Sequence, residues 1–334
     1  MSDERDTLVM RRRAYALLGA LLVDGLDEAR LEAVRLLPPL AEGLDEPVDL
    51  DELAASHYAL LGRELPPFAG VFLEGSGLVG VGSAAQVLRS AHAVLGQACP
   101  DEPSPDHLGQ ALRLMAVLAD AELDALEQGD VDDAHTLRRW QRTVLDEALL
   151  PWMPPLLVAL GGQEPSLWTR VLELAVGVLA RHRADDSTLP RATGPARDEA
   201  LSAEGLLDDP RTGLRTVAEL LGLPARSGLF LGRRDIEAVA RRCELPRGFG
   251  SRRDMLERLL RAAAEYQLLP RVLDELQRLL AARDDAYAGL ANEPGLAAVV
   301  PAWRRRVEAT QGLLQRLSEA AARVGQGGDA LETG

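Results

Sequence analysis

The chain has 334 residues, of which 47% are hydrophobic and 4% aromatic, and its formal net charge is −15. All 37 basic residues are arginine, and the sequence contains no lysine. This absence excludes a P-loop lysine and a Schiff-base lysine, because arginine stays protonated and cannot act as a nucleophile. The composition is typical of a globular protein of about two domains with a core of Leu, Ala and Val.

The negative charge is concentrated in the first half of the chain. Residues 1–160 hold 12 Arg against 27 Asp and Glu, whereas residues 161–334 hold 25 of each kind. An acidic half repels nucleic acid and anionic lipid and attracts basic partners, so we expect neither nucleic-acid binding nor direct membrane insertion. The two cysteines, Cys99 and Cys243, lie far apart and form no CxxC pair, which favours a reducing cytoplasm.

The first predicted element is an amphipathic helix. Arg11, Arg12 and Arg13 precede an apolar run over residues 14–23, a pattern typical of a twin-arginine export signal. However, acidic residues come before the arginines, no small-residue cleavage site follows, and the run is too short to span a bilayer. We therefore expect a first helix of a cytoplasmic protein, with an inward face formed by Leu8, Tyr15, Leu18 and Leu22.

Helical periodicity continues along the chain and predicts an all-α fold. Polar residues at cap positions indicate that helices open at Asp49, Ser83, Ser166 and Ser251. A long helix is predicted from Pro105, with Asp106 as its N-cap and an exposed histidine at His107. Its inward residues are expected to be Leu108, Ala111, Leu112, Met115, Leu118 and Ala119.

Residues 183–214 interrupt this pattern, because Pro190, Pro195 and Pro210 prevent a continuous helix. We interpret the segment as a linker between a helical domain, residues 1–182, and a smaller Arg-rich helical module, residues 215–324. Residues 325–334 are predicted to form a flexible tail. The arginine clusters of the module are interpreted as solvated helix faces. Docking on the acidic half of a second copy is the alternative, and it would make the protein a homodimer.

The most tempting enzymatic motif is the stretch from Gly75 to Gly80, which matches GxGxxG. A dinucleotide site needs a parallel sheet of alternating strands and helices, and the sequence predicts no other strand. A glycine-rich connection between helices is therefore favoured, with a nucleotide-binding enzyme as a further alternative. Asp130 begins an acidic cluster that fails the EF-hand register. No histidine pattern predicts a metal site, and nothing marks a catalytic site.

Four segments, in the same order, resemble the signature of the TorD/DmsD/NarJ-type chaperones, and the resemblance covers about residues 8–182. Three departures from the family pattern are Gly70 in place of serine, Ala111 in place of glutamate and Ala148 in place of histidine. A fourth departure is Leu114 in place of phenylalanine. The matching segments are residues 58–62 (YALLG), 66–73 (PPFAGVFL), 105–108 (PDHL) with Leu112 and Met115, and 144–154 (VLDEALLPWMP).

The resemblance implies a cytoplasmic maturation chaperone with a TorD-like helical bundle, not an enzyme. Members of the family bind the twin-arginine signal peptide of a molybdenum oxidoreductase of the dimethyl-sulfoxide-reductase type. They hold the apoprotein until the molybdopterin cofactor is inserted. The alternative is a NarJ-like assembly adaptor for a molybdenum or iron–sulfur subunit that is not exported. The chaperone itself is expected to bind no cofactor stably, since the client carries the molybdopterin guanine dinucleotide.

A signal peptide combines an arginine pair with an apolar stretch, so its receptor needs an apolar floor and an acidic rim. We expect Asp106 to pair with a client arginine and His107 to orient the loop that joins the two helical halves. Exposed ion pairs contribute about 0–1 kcal/mol each, so affinity should come mainly from apolar burial. For Leu112 and Met115, core packing is the favoured alternative to client contact. The residues predicted to bind the client are Tyr58, Phe68, Phe72, Asp106, His107, Leu112, Met115 and Trp152.

Overall fold

A computed structural model of the chain describes residues 2–186, 203, 205–209 and 211–332. These residues contain no strand; their only β-type pairing is an isolated bridge between Phe68 and His107. The predicted all-α fold is therefore confirmed. The chain divides into two compact units, one formed by Met1–Ala196 with Asn292–Val299 and the other by Arg197–Ala291 with Val300–Gly334.

The first unit is a helical bundle whose longest elements are a helix of 23 residues and one of 21 residues. The α-helices are α1 (Ser2–Asp24), α2 (Glu28–Arg35), α3 (Pro38–Ala41), α4 (Leu50–His57), α5 (Ala69–Leu73), α6 (Gly82–Val94), α7 (Leu108–Gln128), α8 (Val131–Thr143), α9 (Met153–Leu160) and α10 (Leu167–Asp185). A π-helical segment, Tyr58–Glu64, continues α4, and a second, Val144–Leu149, follows α8 and leads through a short 3-10 turn to α9. The main packing partners are α1 with α7, α7 with α8, and α6 with the second π-helical segment.

The core of this unit is built where the apolar periodicity places it. All four residues predicted to face inward from α1 are buried, and so are all six from α7. Each buried Leu or Met contributes about 1.5–3 kcal/mol by leaving water, so these two stripes hold α1 against α7. Residues 131–160 are long and apolar enough to cross a membrane by composition, but most of that segment is buried inside the unit.

The helix starts follow the predicted cap chemistry. The Asp49 side chain accepts hydrogen bonds from the backbone N–H groups of Asp51 and Glu52 at the start of α4. Ser166 forms a capping box with Thr169 at the start of α10. Such caps satisfy N–H groups that have no partner within the helix. At α6 the prediction is two residues off, because the N-cap position is Val81 and Ser83 lies inside the helix.

The second unit is also helical. Its core includes the fully buried Trp303 and Tyr287, whose hydroxyl donates to the carbonyl oxygen of Gly228 at 2.9 Å. The predicted helix cap at Ser251 is confirmed, since Ser251 forms a capping box with Asp254. The helices are α11 (Leu214–Leu221), α12 (Pro224–Ser227), α13 (Arg233–Arg242), α14 (Arg252–Glu265), α15 (Leu269–Leu290) and α16 (Val300–Glu332).

The domain boundaries drawn from the sequence stay a prediction. Most of the predicted linker, residues 183–214, lies outside the described residues, and α10 continues to Asp185 at its start. The backbone of α16 is helical to Glu332, where the composition predicts a flexible tail. The arginines of the second unit are exposed at several positions, and many form ion pairs within it. Arg304, for example, lies 2.8 Å from Asp284.

Candidate functional site

The carboxylate of Asp106 joins two segments of the first unit. Its Oδ2 accepts a hydrogen bond from the backbone N–H of Gly70, and its Oδ1 accepts one from Gly80, both at 2.9 Å. Asp106 is 1% exposed. A carboxylate that is buried so fully is stabilised by such charge-assisted bonds. In this conformation Asp106 presents no surface to a client arginine, and its contribution to client binding stays a prediction.

Both partners of Asp106 have to be glycine. A Cβ atom on Gly70 would overlap the carbonyl oxygen of Leu78. Gly80 has φ +72°, a conformation that favours glycine, and a Cβ there would lie 2.6 Å from Ser104 Oγ. Gly70 is the position at which this chain departs from the serine of the family pattern. Sequence reasoning missed both glycines, although the departure and the GxGxxG stretch were the available signals.

His107 is buried, so the prediction of an exposed histidine is wrong. It, and not Asp106, is the N-cap residue of α7, because its Nδ1 accepts a hydrogen bond from the N–H of Gly109 at 3.1 Å. Burial, with smaller effects from His57 and Arg113, lowers the pKa of His107 to about 4. The ring is therefore neutral near pH 7, with its proton on Nε2.

The backbone around His107 ties the start of α7 to the segment before α5. The N–H of Ala69 donates to the carbonyl oxygen of Asp106 at 2.9 Å, and the N–H of Leu108 donates to that of Pro67 at 2.8 Å. The rings of Phe68 and His107 pack edge to face, with their centroids 4.8 Å apart. The PDH motif and the PPFAGVFL motif, which are far apart in sequence, are thus one structural joint.

Four of the predicted client contacts are core residues. Phe72 and Trp152 stack with ring centroids 5.3 Å apart, and both are completely buried. The indole N–H of Trp152 donates to the carbonyl oxygen of Ala148 at 2.9 Å, so its polar atom is satisfied inside the unit. Leu112 and Met115 are also completely buried. These four side chains pack in the core of the bundle. For Leu112 and Met115, core packing was the favoured alternative to client contact, and their burial agrees with it.

Two of the predicted aromatic contacts reach the surface. Tyr58, the first residue of the π-helical segment, is 65% exposed. Its ring lies against Gly62, where a Cβ atom would approach Cδ2 of Tyr58 to 2.7 Å. Phe68 is half-buried. A client that contacts the predicted residues in this conformation would therefore meet Tyr58 and Phe68 and not Phe72 or Trp152.

The glycine-rich stretch forms a loop between α5 and α6, residues 74–81. It presents three large apolar side chains to solvent: Leu78 is 61% exposed, and Val79 and Val81 are 44% exposed each. Asp106 holds Gly80 from one side, and the Arg89 guanidinium donates to the carbonyl oxygen of Gly80 at 2.6 Å. The loop is thus pinned while its apolar residues face water. Sequence reasoning took it as a mere connection, although its apolar residues were visible.

The surroundings of the loop do not support the dinucleotide alternative. Helices flank it on both sides, and no strand occurs in the part of the chain that the structure describes, so the sheet that a Rossmann site requires is missing there. The acidic cluster at Asp130 is a helix cap, where the carboxylate accepts from the N–H of Asp133 at 3.2 Å. No group of three or more potential metal ligands occurs among residues 2–186 or in the rest of the described chain.

A sequence model of the family described as "Nitrate reductase delta subunit" matches residues 24–157, which include the joint, the loop and the core aromatic pair. This segment is therefore similar to the nitrate reductase delta subunit family. The family is part of the TorD/NarJ chaperone superfamily, so the resemblance noted in the sequence is confirmed. Its members are redox-enzyme maturation chaperones and not enzymes. No curated protein and no solved structure matches the chain.

Proposed function

We propose that this protein is a cytoplasmic chaperone that binds a molybdenum oxidoreductase apoprotein, or its twin-arginine signal peptide, until the molybdopterin cofactor is inserted. The observation that carries the proposal is the pinned apolar loop of residues 74–81 within the segment of the delta-subunit family. An exposed apolar patch on a soluble protein is a frequent mark of an interaction site. The molybdopterin guanine dinucleotide belongs to the client in this proposal, and the chaperone holds no cofactor of its own.

The loop suits the apolar part of a signal peptide. Leu78, Val79 and Val81 lie close together in sequence, and the half-buried Phe68 belongs to the joint that anchors the loop. The exposed carboxylates of Asp101 and Glu102 precede Ser104, which packs beside Gly80. The apolar side chains would supply most of the affinity and the carboxylates an attraction for the client's arginines.

The proposal is tested by titrating the full chain with twin-arginine leader peptides at low ionic strength. We expect saturable binding that weakens as salt is added, because the charges are exposed and therefore screened. In the double variant Leu78→Asp with Val79→Asp, binding should weaken by about tenfold or more. Leu36→Asp is the matched control, since Leu36 is 80% exposed and lies outside the loop. A panel of leaders that shows no binding would sink the signal-peptide form of the proposal.

The description of the matching family favours a second candidate, an adaptor that binds the body of a nitrate-reductase-type subunit that is not exported. The two candidates differ in the segment that is bound. Cross-linking to a co-expressed client, followed by mapping of the cross-linked peptides, distinguishes them. Cross-links confined to the leader support the export chaperone, and cross-links to the mature subunit support the adaptor.

A further inference from the structure

The first unit contains a polar cavity that the proposed function does not use. It has a volume of about 490 Å³ and lies among α1, α7, α8 and α10. This volume is within the usual range of small-molecule sites. None of the residues predicted to bind the client lines it. The lining includes four carboxylates, from Glu4, Glu122, Asp185 and Asp186, and three arginines.

The arginines of the cavity are already held by its carboxylates. Arg138 lies 2.8 Å from Glu4 and 2.7 Å from Glu122, and its Nε donates to Glu122 at 2.9 Å. Arg11 lies 3.0 Å from Asp185. Arg181, the third, lies 2.9 Å from the same carboxylate. The guanidinium groups are therefore engaged as donors, while each carboxylate has several lone pairs and can accept further hydrogen bonds.

Gln141 adds an acceptor that has no partner. The side chain is 1% exposed, and its Nε2 donates to Glu122 Oε2 at 2.6 Å. That bond fixes the amide orientation, since a carboxylate needs a donor and the amide oxygen has to point elsewhere. The Oε1 of Gln141 is buried and has no hydrogen-bond partner. An unsatisfied buried acceptor is costly, so the site lacks a donor.

Histidine does not supply positive charge here. His182 lines the cavity, but burial, with smaller effects from Arg11 and Arg138, lowers its pKa to about 3. Its Nδ1 lies 2.7 Å from the hydroxyl of the completely buried Tyr15. The ring is thus neutral at physiological pH, so the cations of the lining are its three arginines, and Arg142, outside the lining, pairs with Asp186 at 3.4 Å.

We infer that this cavity binds an organic cation with several N–H donors, a guanidinium or a primary ammonium group, which donates to Gln141 Oε1 and to the neighbouring carboxylates. Such a group supplies the missing donor, and the lone pairs that remain on the carboxylates can accept its other N–H groups. The same chemistry has two sources, a free amine or guanidine and a basic side chain of a polypeptide. The inference does not depend on client binding by the loop.

Calorimetric titration of the full chain with two probes tests the inference and identifies the source. Agmatine represents a free guanidine, and the peptide acetyl-Ala-Arg-Ala-amide represents a side chain. Saturable binding of agmatine alone points to a free small molecule, and binding of the peptide points to a polypeptide. The same peptide with citrulline in place of arginine is the uncharged control and should not bind. Absence of binding by both cationic probes, or equal binding of the citrulline peptide, overturns the inference.

Variants connect the binding to the cavity. Gln141→Leu keeps the side-chain size and removes the acceptor, together with the Nε2 donor to Glu122, so the affinity for the probe should fall by about tenfold. Gln163→Leu is the matched control, because Gln163 also has a buried amide oxygen without a partner but does not line the cavity. If Gln141→Leu fails to fold, Asp185→Asn replaces it, since that side chain is 36% exposed. Unchanged affinity in the folded variant excludes this cavity as the site.

Discussion

The Asp106 carboxylate and the backbone N–H of Gly80 are joined by a 2.9 Å hydrogen bond across 26 residues of sequence. The same carboxylate accepts a second hydrogen bond, from the N–H of Gly70. The buried Asp106 side chain is therefore the anchor of the apolar loop. The loop conformation therefore depends on a side chain that is itself buried. Asp106 contributes to function, in this interpretation, by positioning Leu78 and Val79.

The first prediction concerns the acceptor capacity of Asp106. In Asp106→Asn an NH₂ group replaces one carboxylate oxygen, so one of the two backbone N–H groups loses its acceptor. The free energy of unfolding should fall by about 1–3 kcal/mol. Urea denaturation measures this change, and Asp101→Asn, at an exposed carboxylate in the preceding loop, should leave the value unchanged within about 0.5 kcal/mol. Equal stability of the two variants would contradict the anchoring role.

The second prediction concerns the space at Gly70. A methyl group in Gly70→Ala would overlap the carbonyl oxygen of Leu78 and lie 3.0 Å from Asp106 Oδ2. The loop has to shift, and we expect a loss of about 1–3 kcal/mol in the free energy of unfolding. Gly177→Ala is the control, because Gly177 is within α10 and a Cβ there meets nothing within 4 Å. That variant should be more stable by about 0.4–1 kcal/mol, since alanine lowers the entropy of the unfolded chain.

The third prediction concerns the stacked pair in the core. Phe72→Ala should lower the free energy of unfolding by about 3–5 kcal/mol, because it leaves a cavity beside Trp152. A double-mutant cycle with Trp152→Leu should give a coupling energy of about 0.5–1.5 kcal/mol for the stacking. Phe249→Ala serves as the control, since Phe249 is 73% exposed. A small effect of Phe72→Ala would mean that Phe72 is not the core residue described here.

The fourth prediction is a loss of stability in mild acid. The folded-state pKa of His182 is lowered to about 3 and that of His107 to about 4, both from 6.5. Between these values and 6.5 the unfolded chain binds more protons than the folded chain, so the folded state is most favoured above about pH 6.5 and loses stability as the pH falls. At pH 5 each histidine should account for about 2 kcal/mol of this loss.

Unfolding at pH 7.5 and at pH 5 measures the effect. His182→Gln should flatten the pH dependence, because the group that takes up a proton on unfolding is gone. His135→Gln is the control at an exposed position and should leave the slope unchanged. A slope that is the same in wild type and His182→Gln would show that folding does not lower the pKa of His182.

Much of the fold follows from patterns that act over one or two helical turns. The inward faces of α1 and α7 and the caps at Asp49, Ser166 and Ser251 are local consequences of apolar spacing and side-chain hydrogen bonding, and they agree with the structure. The family resemblance could also be recognised from the sequence, because each of its four motifs is a contiguous segment and the motifs occur in the family's order. These features can be predicted without knowing which distant segments of the chain pack against them.

The candidate site was less predictable, because its geometry is set by contacts between distant residues. Nothing in the sequence around Asp106 indicates that the N–H of Gly80 donates to its carboxylate, or that the ring of Phe68 packs against that of His107. A polar PDH motif at a helix start suggests exposure, yet tertiary packing buries both polar residues and satisfies them internally. The exposure of Leu78 could not be read from its type, because apolar residues are more often buried.

The pinned loop has a consequence for the kinetics of recognition. A surface that keeps its shape in the free protein needs little further ordering on contact, so little conformational entropy is lost when a guest arrives. The association rate constant should therefore be high. Differences in affinity among clients should arise mainly from their dissociation rate constants. In the proposed function, such a preformed loop would suit a chaperone that has to bind its client quickly and release it again.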